Sequence, residues 1–117
     1  MFDANQLEQV ELSITKAKKQ IALMEACGRL SKNRDFKKLI DEGYLKDEAV
    51  ALVHRKGDFS MAEDHHQKYI IDAINSISFF RNYLTMTLRQ GDAAKQSLKA
   101  HEETREAILA DDLIGEQ

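Results

Sequence analysis

Leu7-Glu-Gln-Val10-Glu-Leu-Ser-Ile14-Thr-Lys-Ala17-Lys-Lys-Gln-Ile21-Ala-Leu-Met24 spaces its seam of apolar residues alternately three and four apart without a miss. That is the heptad period of a helix lying along a partner helix. With Leu7 at position a, the seam holds Leu7, Ile14 and Ile21 at a and Val10, Ala17 and Met24 at d. Asp3 and Gln6 make a variant capping box at its start, and Cys27-Gly28 is the expected stop, which predicts a long helix over about residues 4–26. Leu12 and Leu23 lie off the seam, so a second face is expected to be partly covered.

The partner is found further along the chain. Ser60-Met-Ala-Glu63 has the S-x-x-E form of a capping box and predicts a second long helix over about residues 61–90. Its inward positions are Ile70, Ala73, Ile74, Ile77, Phe80, Leu84 and Leu88. Ile71, Phe79, Tyr83 and Met86 form a second stripe on the other side, the candidate interface with another subunit, because a helix apolar on two faces needs two partners. Gly91-Asp92 predicts a further helix over about 92–112, although the a/d phase continues through Gly91, Ala94, Leu98 and Ile108. His101 and Arg105 at seam positions make that C-terminal helix the weakly packed one, with Leu113 and Ile114 left to anchor its end.

Between the long helices, Phe36, Leu39 and Ile40 form one apolar cluster and Leu45, Ala49, Val50, Leu52 and Val53 another. Gly43 between them reads as a helix C-cap, predicting two short helices over about 33–56. Proline is absent and glycine occurs five times, which leaves little for the tight turns of a sheet. The fold class expected is therefore all-α: a bundle of two long antiparallel helices bridged by two short ones, in a single domain of 117 residues.

Composition excludes more than it selects. Seventeen basic against twenty acidic residues give a net charge of -3, so no overall field draws the chain to phosphate backbones or anionic lipid. A single cysteine, Cys27, rules out an intrachain disulfide and reads as a small buried hydrophobe. No apolar run approaches the ~20 residues of a membrane span, and Met1 to Asn5 lacks the basic start of a secretory signal. The expectation is a soluble protein of a cytoplasm.

The motifs of phosphate cradling, dinucleotide binding, structural zinc and hydrolase elbows are missing, so no cofactor is implied and a non-enzymatic role is expected. Glu63-Asp-His-His66 contains E-x-x-H, whose spacing puts a carboxylate and an imidazole on one helical face, as in di-iron carboxylate bundles. Antiparallel pairing of the long helices would bring Glu25 to Glu63 and His66, half of a ferritin-like site that a dimer could complete. Against this, Glu63 is already accounted for as a capping-box acid, and His65-His66 as an exposed first turn. For nucleic acid the best segment holds Arg29, Lys32, Arg34, Lys37 and Lys38 with Phe36 interleaved. Asp41, Glu42, Asp47 and Glu48 follow at once and oppose a phosphate groove, so a packaging accessory ranks below an interaction protein.

The stretch Phe36 to Val53, with Glu102-Glu-Thr-Arg-Glu-Ala-Ile108, resembles small helical proteins encoded by tailed bacteriophages. That resemblance implies a phage-encoded product acting in the host cell or the virion as a structural component or assembly factor, and it transfers no site residues. The expected partners are a second copy of the chain and another protein.

Overall fold

A computed structural model describes residues 3–115, with side chains as far as residue 113. It is all-helical: α1 (Ala4–Ser31), α2 (Arg34–Phe36), a π-helix π1 (Lys37–Glu48), α3 (Ala49–Lys56), a 3-10 turn (Phe59–Met61) and α4 (Asp64–Gly115). Two compact units share these elements, residues 1–26 with 87–117 and residues 27–86. No helix among the described residues is long and apolar enough to cross a membrane.

The first unit pairs α1 with the C-terminal stretch of α4. Asp3 and Gln6 cap α1 as their spacing predicts, each backbone N–H donating to the other's side chain at 2.7 and 2.8 Å. The seam is inward as read: Val10, Ile14, Ala17 and Met24 are buried, together with Ala94 and Ile108 of α4. Met24 meets Gly91, whereas Ser13 and Ala17 line one shallow concavity with Ser97 and His101, so the two helices run antiparallel. Leu12 and Leu23 are exposed rather than covered, and so is Leu113. The side chain of Ile114 lies outside the described residues.

Two predicted breaks are helical instead. α1 continues through Cys27-Gly28 to Ser31, because no residue there takes the left-handed conformation that a glycine stop requires. Cys27 is accordingly half-buried, not a core residue. α4 likewise runs unbroken through Gly91 for 52 residues, so the helices predicted over 61–90 and 92–112 are one. Gly91 is buried, and a methyl placed on it would overlap Met24 Cβ and lie 2.7 Å from Met24 Cγ and Sδ. Its function is close approach rather than termination, and the unbroken heptad phase carries the helix across it.

The second unit is built around π1. The predicted stop at Gly43 is absent: the chain stays helical from Arg34 to Lys56. In an α-helix the nine steps from Phe36 to Leu45 rotate through about 900°, putting the two on opposite sides. Five-residue hydrogen bonding widens the helix to roughly 4.4 residues per turn, which brings Phe36, Ile40, Leu45 and Ala49 onto one face. Leu45 is buried and the other three are half-buried. Leu45, Leu52, Ile70 and Ile77 form the core, with Ile40, Tyr44, Met61, Ile74 and Leu84 packed against it.

At the end of π1 the Ala49 N–H donates to Lys46 O. There Leu45 O accepts from Arg81 Nη2 at 2.8 Å, in a partly buried position. Arg81→Ala should therefore cost about 1–3 kcal/mol by removing a charged donor from a partly buried carbonyl, read as a lower denaturation midpoint at unchanged m-value. At the other end, Asp58 Oδ1 accepts from the N–H and the hydroxyl of Ser60, which holds the Asp58 carboxyl below its usual range. Gln67 Nε2 donates to Lys56 O and Met61 O at 3.0 and 2.8 Å, fastening the turn to α4.

Candidate functional site

The start of α4 differs from its predicted form in a way that changes the reading of Glu63. Ser60 is engaged with Asp58 and makes no box with Glu63; the helix begins at Asp64, and Gln67 N–H donates to Glu63 O at 3.0 Å. The Glu63 carboxylate is thus not used as a cap. Instead its Oε2 lies 3.3 Å from His65 Nδ1. The His65 and His66 rings face each other with centroids 4.0 Å apart and planes inclined by 40°. One ligand atom from each of Glu63, His65 and His66 falls within 4.8 Å of the others, the single group of this kind among the described residues.

Of the residues predicted to ligate metal, Glu63 and His66 come together within one unit, and Glu25 belongs to the other. Met24, its neighbour, packs on Gly91, and the N-terminal turns of α4 pack on π1 and α3. His65 takes the third place. Sequence reasoning passed over it because consecutive residues of a helix point about 100° apart. Glu63, however, precedes the helix and is free of that constraint. The overlooked signal is a carboxylate just outside a helix start followed by two histidines just inside it.

The stripe predicted as an interface is exposed. Phe79 is 70% accessible, Tyr83 57% and Met86 51%. Their i, i+4, i+7 spacing sets all three on one side of α4, away from Ile70 and Ile77 in the core. Ile71, also exposed, lies eight residues before Phe79 and hence roughly 80° round the helix from it. Phe80, expected inward, is turned partly outward and meets Tyr44 edge-on at 6.0 Å. Beside it Tyr44, Leu52, Tyr69 and Ile77 line a shallow groove rimmed by Glu48 and Asp72.

The predicted basic segment is gathered only in part. Lys32, Arg34, Lys37 and Lys38 line one open concavity, and Glu42 of the opposing acidic set lies among them. No turn separates two helices after this segment, since Gly43 is inside a continuous helix.

No protein-family model, curated protein or solved structure matches this chain.

Proposed function

We propose that the protein is a non-enzymatic interaction or assembly protein that acts as a homo-oligomer through the Phe79, Tyr83 and Met86 face of α4. The supporting observation is the exposure of two aromatic rings and a methionine in one stripe of a helix whose opposite side is already satisfied by its own core. Among the described residues sixteen large hydrophobics are exposed against ten buried apolar residues, so much of the side-chain apolar surface is left for a partner.

The stripe is also self-complementary. In an antiparallel pair of α4 helices centred between Asn82 and Tyr83, Phe79 faces the partner's Met86 and Met86 faces the partner's Phe79, the reciprocity that a two-fold contact demands. Sulfur against an aromatic ring adds a favourable contact at both ends. A resemblance to phage-encoded helical proteins sets this in virion structure or assembly.

Phe79→Glu with Tyr83→Glu places four charges in a dimeric contact. The substitution should reduce the mass seen by light scattering to that of one chain while the far-ultraviolet helix signal is kept. A double variant with the same mass as the parent would remove this face from the proposal.

A further inference from the structure

The geometry points to a mononuclear site for a divalent first-row transition ion at the start of α4, ligated by Glu63, His65 and His66. It is a different centre from a di-iron site, since one carboxylate and two imidazoles make a single ion's set.

Ligand spacing carries the argument. Imidazole nitrogen and carboxylate oxygen bind zinc-class ions at about 2.0–2.2 Å, so two ligands of one tetrahedral or octahedral ion stand roughly 3.0–3.5 Å apart. Glu63 Oε2 and His65 Nδ1 already stand at 3.3 Å. His66 is within 4.8 Å of both, a gap that rotation about its own side-chain torsions closes. Glu63 and His65 are exposed and His66 is half-buried, so an ion reaches the site without any rearrangement of the core. Two imidazoles with one carboxylate favour zinc, nickel, cobalt or copper over calcium or magnesium, which take oxygen ligands. Three protein ligands leave the remaining positions to water, and the positive end of α4 opposes a cation, so binding is reversible rather than structural.

The test is calorimetric titration of the full-length, untagged chain with nickel and zinc chlorides, beside calcium chloride. One nickel ion per chain and no calcium are expected. Loss of a group that only hydrogen-bonds a metal ligand already weakens metal sites about 10- to 100-fold, so His65→Ala and His66→Ala should each weaken nickel binding at least tenfold. Glu63→Gln should do the same, while His101→Ala and Cys27→Ser leave it unchanged. All three substitutions lie at the surface end of a helix, and circular dichroism of each variant is the check that it stays folded. Nickel affinity unaltered by His65→Ala and His66→Ala, or no nickel uptake by the parent chain, would overturn the assignment.

Discussion

Gly91→Ala should destabilise the first unit by about 2 kcal/mol, although alanine is the better helix former by about 1 kcal/mol. The added methyl collides with Met24 Cβ, an atom fixed to the backbone of α1, so relief requires the two helices to separate. The pairing partner of the substitution gives the control. Met24→Ala removes Cγ and Sδ but keeps Cβ and should not restore stability, whereas Met24→Gly should restore part of it. Hydrogen exchange reads the location: amides of α1 lose protection, and those of α3 keep theirs. Unchanged protection of α1 in Gly91→Ala would mean that the close approach is not needed.

Leu52→Ala should cost on the order of 2–5 kcal/mol, the largest loss expected from a single truncation in the second unit. Leu52 is 2% accessible and joins Leu45, Ile70 and Ile77. Leu39, in the same continuous helical run, is 70% accessible, and Leu39→Ala should stay within about 0.5 kcal/mol. The pair tests the π-helical register, since it decides which side of the run faces α4. Denaturant unfolding with comparable costs for the two leucines would contradict that register.

How far the sequence could be read depended on the period of each segment. α1 was legible because its seam follows the ordinary heptad and its cap is local, with Asp3 and Gln6 bonding to each other alone. The inward positions of α4 were legible for the same reason, through Ile70, Ile77, Gly91, Ala94 and Ile108. Glycine misled three times in the same way. Gly28, Gly43 and Gly91 are compatible with a stop, but a stop also needs a left-handed residue that nothing local enforces, and the chain is helical at all three. The π-helix was hidden because its spacing of four and five, from Phe36 through Ile40 and Leu45 to Ala49, breaks into two fragments when a 3.6-residue period is assumed.

The candidate sites divide similarly. Phe79, Tyr83 and Met86 were found by spacing, and they are exposed as a second stripe requires. Glu63 and His66 were found from E-x-x-H, but Glu25 was assigned by supposing that the end of α1 meets the start of α4. Helix length left that supposition open, since a 52-residue helix offers α1 more than one place to dock, and Met24 of α1 meets it at Gly91. His65 and Arg81 were not legible, because one depends on a residue just outside a helix and the other on a carbonyl of the π-helix.

Self-association is the claim on which the proposed function rests, and sedimentation equilibrium of the unmodified chain tests it most directly. Over micromolar concentrations a mass of twice 13.4 kDa is expected, the dimer that a two-fold contact of α4 would close. A single species at 13.4 kDa throughout that range would contradict it.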